Sequence, residues 1–196
     1  MHLSASTINL WISQPALALL KIAGIDDGEA GAAAWRGKAA DIALGIVASD
    51  HEICDSDLID IAYKKFDKEV ETAQNHHDPI KIGRERSDIH RYIENGAKFY
   101  RSIEEKPESL QGKITTMLPD VPIPWVGYYD LLYHENVRDT KTVGRMVSEP
   151  TQAHARQASI YGYHLKKEPW LDYVGKNDVR AFKIENCLLY TSPSPR

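Results

Sequence analysis

The sequence predicts an α/β protein in which α-helices flank a mixed central β-sheet and the N-terminal half is helical. Three observations carry this. Apolar and small residues recur at helical spacing through the long segments before Lys106. Beyond Pro107 the pattern changes to short runs rich in Val, Ile, Tyr and Thr. One further helical run, opening at Ser148-Glu149-Pro150, falls among those strands.

In chain order, Ser4 or Ser6 is placed to cap a first helix through Leu10 and Trp11. Pro15 interrupts it, because proline lacks the amide donor and crowds the preceding turn, and a second piece reaches about Ala23. Ile25–Gly28 (IDDG) reads as a turn. Glu29–Ser49 is an Ala-rich helix with Ala33, Gly37, Ala40, Leu44 and Val47 on one stripe. Asp55 to about Ala73 follows, capped by Asp55 or Ser56, with Leu58, Ile61, Ala62 and Phe66 turned inward. The stretch 75–79 (NHHDP) is a loop by composition. Ser87 to about Glu105 forms a fourth helix with Ile89, Tyr92, Ile93, Ala97 and Tyr100 as its apolar face. Strands are expected at Lys113–Leu118, Ile123–Tyr133, Asn136–Val143 and Asn177–Glu185, with Pro119, Pro122 and Pro124 marking an edge. The central sheet is expected to begin near Lys113. Pro150 suits the first turn of the helix that runs to about Lys166.

Composition narrows the class. A chain of 196 residues, 42% hydrophobic and 27% charged, fits one globular domain with a proper core. No apolar run approaches the roughly 18–20 residues of a membrane span, and no basic segment precedes an apolar stretch at the N-terminus. The expected location is therefore cytoplasmic, with no membrane partner. A net charge of −4 does not advertise nucleic-acid binding, although a local basic stripe matters more than the total. Lys81, Arg84, Arg86 and Arg91 form the densest such run, either facing DNA or simply solvated. Cys54 and Cys187 are too few for a disulfide framework. His76 with His77, and His51 with Cys54, lack companions at ligand spacing and read as surface residues.

The chemistry concentrates between Gly127 and Tyr161. Residues two apart on a strand share a face, so Asp139 and Lys141 project together if 137–142 is extended. A tight turn near His134–Asn136 would pair that strand with the apolar run ending at Asp130, setting the two acids opposite each other. Two such carboxylates repel unless a cation lies between them, and Mg²⁺ or Mn²⁺ takes one or two carboxylates plus water and phosphate oxygens. Gln157 and Tyr161, four apart, share a face of the following helix. Asp-x-Lys by itself is common: Glu104 and Lys106 repeat the spacing in an ordinary solvated setting. What distinguishes Asp139 and Lys141 is the company of Asp130, Gln157 and Tyr161. Asp41, on or beside the small-residue stripe of its helix, must be paired with a basic side chain or ligate a metal, because an isolated buried carboxylate is costly.

These residues resemble the PD-(D/E)XK nucleases, specifically the RecB-like and phage exonuclease branch. Gln157-Ala-Ser-Ile-Tyr161 matches its Gln-x-x-x-Tyr motif, Asp139-Thr140-Lys141 the central motif, and Gly127-Tyr-Tyr-Asp130 the first acid. Leu3-Ser-Ala-Ser-Thr-Ile8 resembles the opening of phage exonucleases of this type. Arg36-Gly-Lys-Ala-Ala-Asp41 matches a Gly followed by a metal-binding residue, with Asp41 one methylene shorter than the usual Glu. The resemblance implies a restriction-endonuclease-like core and a metal-dependent DNA exonuclease serving phage or bacterial recombination. A structure-specific endonuclease and an inactive DNA-binding scaffold are the alternatives. It further implies Mg²⁺ or Mn²⁺ held by Asp130, Asp139, the Thr140 carbonyl and Asp41, with Lys141, Gln157 and Tyr161 completing the catalytic set. DNA is the implied partner, with a single-strand annealing or recombination protein as a second. Some relatives carry an iron–sulfur cluster on four cysteines. Gln14 stands before Pro15 where the first would lie, so no cluster is expected.

The last ten residues, Cys187–Arg196 (CLLYTSPSPR), read as a translated sequencing adapter. The expectation is one nuclease domain over 1–186, truncated near Asn186, followed by a non-native tail.

Overall fold

The structure, a computed structural model, describes residues 2–25, 30–73, 78–117, 120 and 122–185. The expected turn at 25–28, the histidine pair at 76–77 and the tail at 187–196 fall wholly or largely outside them. Among the described residues, six helices and a mixed sheet form a mixed α/β architecture whose first half is helical.

Ser4 caps α1 (Ala5–Ser13), its hydroxyl accepting from the Thr7 amide at 3.1 Å, and Pro15 opens α2 (Pro15–Ile22). The Ala-rich run forms α3 (Ala32–Ser49), followed by α4 (Asp55–Thr72) and α5 (Pro79–Arg101). The buried face of α3 carries Trp35, Ala39, Ala43, Leu44 and Val47, whereas Ala33 is exposed. The stripe expected from the sequence is thus rotated toward Trp35. The start of α4 also differs from expectation: Cys54 is its cap position and no side chain closes it. α5 begins eight residues before Ser87, because Asp78 accepts from the Ile80 amide and Pro79 supplies a first position preset for helix.

The sheet runs β1 (Ser109–Leu110), β4 (Leu131–Leu132), β5 (Asn136–Thr142), β6 (Glu168–Val174) and β7 (Val179–Lys183) in spatial order. β5 and β6 are parallel and joined through α6 (Gln152–Leu165); the other neighbours are antiparallel. Three expectations are corrected here. β2 (Lys113–Met117) does not start the central sheet but forms a separate hairpin with β3 (Pro124–Tyr128). The run 123–133 is not one strand: it breaks at Tyr129–Asp130, so that β3 pairs with β2 while β4 pairs with β5. β6 goes unmarked in the sequence reading, and it lies between β5 and β7. α6 is capped by Thr151, whose hydroxyl accepts from the His154 amide, leaving Pro150 outside the first turn.

The two faces of the sheet have different partners. Leu131, Tyr133 and Val174 join the core of α3, α4 and α5, with Leu44, Leu58, Phe66, Ile89, Tyr92 and Ile93. On the other face, Val137 meets Trp125, Tyr129 and Tyr161, while Leu171 and Tyr173 meet Ala158 of α6. Burial of these large side chains contributes roughly 1.5–3 kcal/mol each. No described helix is long and apolar enough to cross a membrane.

Candidate metal-assisted hydrolytic site

The register of β4 on β5 brings the first two acids together. Leu131 lies opposite Arg138 and Leu132 opposite Val137, so Asp130 falls opposite Asp139 one step beyond the ladder. The Asp130 carboxylate accepts the Thr140 amide at 2.6 Å. Asp139 is 2% exposed, and Lys141, two residues on and on the same face, forms an ion pair with its Oδ2 at 2.5 Å. From α6, the Gln157 carboxamide donates to Asp139 Oδ1 at 3.3 Å and to the Tyr161 hydroxyl at 2.7 Å. The Tyr161 ring is packed against Trp125, 5.8 Å between centroids. Side-chain alternation on β5 and the four-residue spacing on α6 therefore converge as the sequence implied.

Asp41 joins this group from α3. Its Oδ1 is buried and has no hydrogen-bond partner among the described residues. Burial pushes its pKa up to about 7; Lys141 opposes the rise and Asp139 adds to it. Burial likewise raises Asp130 well above the carboxylate range, reinforced by the charges of Asp139 and Asp41. Burial alone would lower Lys141, but Asp139, Asp130 and Asp41 outweigh it and hold the ammonium above its ordinary pKa. Lys141 is thus a cation, suited to orienting water and offsetting negative charge rather than to accepting a proton. Burial pushes the Tyr161 phenol up to about 12, so it stays a neutral hydrogen-bonding group.

Of this group, Lys141 and Gln157 line a cleft of about 560 Å³ between α1 and α6, together with Ser6, Asn9, His154 and Arg156 among others. Asn9 bridges the two helices, donating to the Ala153 carbonyl and accepting from Arg156. His154 is held by the Tyr173 hydroxyl at 2.7 Å, and burial lowers its pKa. A larger hollow of about 710 Å³ lies at the far end of α6, by Lys166, Lys167 and Glu168, away from the acids. The smaller cleft is the one that Lys141 and Gln157 line.

The basic run does not reach this cleft. Arg86 forms a two-pronged pair with Asp67 of α4, Arg91 bonds Asn177, and none of Lys81, Arg84, Arg86 and Arg91 lines the cleft. The sequence reading passed over a network on the opposite sheet face, where Asp172 of β6 meets Arg138 and Tyr100. Its one signal was a lone acid inside the apolar run Trp170–Val174.

No family model matches the chain, and no curated protein matches it at a significant level. Among solved structures, one described as the crystal structure of SSO0001 is similar over 78% of this chain and 86% of its own, at 14% identity and a TM-score of 0.38. That likeness is too slight to carry an argument about function.

Proposed function

We propose that this chain is a Mg²⁺- or Mn²⁺-dependent deoxyribonuclease of the PD-(D/E)XK type, with a restriction-endonuclease-like core and exonuclease activity. One observation carries the reading: Asp41, Asp130 and Asp139 lie buried around Lys141, which itself lines the cleft, and their burial is unfavourable without further positive charge. Among the described residues no three of His, Cys, Asp and Glu form a ready-made metal cage. Mg²⁺ does not need one, since it keeps several waters and binds through one or two carboxylates plus substrate oxygens. The unpartnered Oδ1 of Asp41 fits an oxygen-liganded cation as well. Asp130 and Asp139 would supply the carboxylates, assisted by the Thr140 carbonyl and by Asp41.

When bound, such an ion polarises the phosphate and lowers the pKa of a coordinated water. Lys141 orients the attacking water and offsets charge developing on the phosphate oxygens. Gln157 steers the Asp139 carboxylate and is itself steered by Tyr161. The water oxygen bonds to phosphorus as one P–O ester bond breaks, and the proton the water releases to solvent balances the one the departing oxygen takes up.

The test uses end-labelled linear DNA and covalently closed circles with Mg²⁺ or Mn²⁺, beside a Lys141→Ala variant. Loss of linear DNA alone, abolished in the variant, is the expected result. Cutting of circles indicates an endonuclease, and DNA binding without cleavage indicates a scaffold. Equal activity in the variant would sink the assigned site.

A further inference from the structure

Thr140 lies between Asp139 and Lys141, and it is tied on both sides of its strand. Its amide donates to the Asp130 carboxylate at 2.6 Å. Its hydroxyl, on the opposite sheet face, lies 2.7 Å from the Tyr100 hydroxyl of α5. Tyr100 in turn donates to Asp172 Oδ2 at 3.2 Å, and Arg138 Nη1 donates to Asp172 Oδ1 at 2.7 Å. An ionised carboxylate only accepts, so the proton order along the chain follows. The Tyr100 hydroxyl donates to Asp172, which leaves the Tyr100 oxygen to accept from Thr140. The Arg138 guanidinium lies over the Trp170 ring, 4.8 Å from its centroid, and is fixed from that side as well.

Asp172 is 0% exposed and Tyr100 likewise. A buried ion pair contributes little to stability beyond what apolar side chains of the same volume would give. Its use is better sought in what it orients. The network ends on Thr140, whose amide holds Asp130 in place opposite Asp139.

We propose that Tyr100 and Asp172 are positioning residues for the cation site: through the Thr140 hydroxyl they fix the strand so that its amide sets the orientation of Asp130. This rests on the reading that Asp130 and Asp139 bind a divalent ion. Neither Tyr100 nor Asp172 touches the ion or the substrate.

The experiment is calorimetric titration of the intact chain with Mn²⁺ in the absence of DNA, with thermal unfolding of the same metal-free samples. Tyr100→Phe and Asp172→Asn keep the shape of the side chain and break the relay. Both are expected to weaken Mn²⁺ binding at least fivefold, in excess of what any shift in unfolding midpoint accounts for. Thr140→Val, which removes only the hydroxyl and keeps the backbone groups, should match Tyr100→Phe. Thr140→Val decides the matter if either of the other variants fails to fold. Unchanged Mn²⁺ affinity in Tyr100→Phe and in Thr140→Val would overturn the positioning role and leave the nuclease reading intact. A wild-type chain that binds no Mn²⁺ and cleaves no DNA would overturn the nuclease reading itself, and the positioning role with it.

Discussion

Lys141 and Asp139, two residues apart on β5, form a 2.5 Å ion pair in which the acid's side chain is 3% exposed. The lysine's charge acts on three carboxylates, Asp139, Asp130 and Asp41, and offsets their mutual repulsion. Removing it leaves Asp139 buried without its counter-charge. Lys141→Ala should therefore destabilise the metal-free chain by about 3 kcal/mol. An Asp139→Asn/Lys141→Ala double variant should recover much of that loss, since neighbouring groups are coupled. Urea unfolding at pH 8 in EDTA measures both; simple additivity of the two changes would show that the pair is not a unit.

Asp41 gives the metal-free protein a specific pH dependence. Its folded-state pKa of about 7 lies above the ordinary 3.8. The folded chain therefore binds more protons than the unfolded one between those values. The resulting stability is fully present below about pH 4 and is lost as pH rises through 7, on the order of 4 kcal/mol in all. In Asp41→Asn that component of the slope should vanish, so the variant gains on the wild type toward alkaline pH. Urea midpoints of the two proteins between pH 4 and 8 provide the check, and parallel curves would refute the burial of an unpartnered Asp41.

Gly127 of β3 leaves room for the Tyr161 ring. A Cβ there would lie 2.6 Å from Tyr161 Cε1 and would also overlap the Trp125 ring. Gly127→Ala should cost about 1–3 kcal/mol through overpacking. It should also displace Tyr161, loosening Gln157 and with it Asp139. Gly83, in α5, offers the contrast, with nothing within 4 Å of a built Cβ. Gly83→Ala should stabilise by roughly 0.5–1 kcal/mol through helix propensity. Thermal unfolding of the pair, with DNA cleavage as a second readout, separates steric from conformational effects.

The candidate site was more legible in the sequence than the sheet around it. The Asp139/Lys141 face follows from strand alternation, the Gln157/Tyr161 face from helical spacing, and the opposition of Asp130 and Asp139 from a turn between two apolar runs. Each is a local rule acting over a few residues. β6 was hidden because it is buried on both faces and so shows no alternation, and because Pro169 stands inside it. The break at Tyr129–Asp130 depends on which strand each half finds as a partner, a tertiary fact. The early start of α5, by contrast, was readable from Asp78-Pro79, a cap followed by a first-turn proline. Asp41 was weighed from its place on a helix stripe, but its convergence with β5 depends on how α3 docks on the sheet.

The measurement closest to the central claim is release of nucleotides from linear duplex DNA by the wild type and by Asp139→Asn, with Mg²⁺ and with EDTA. The site described here requires release with Mg²⁺, none with EDTA, and a loss on the order of a hundredfold or more in the variant. Release that persists in EDTA, or a folded Asp139→Asn protein as active as the wild type, would contradict it.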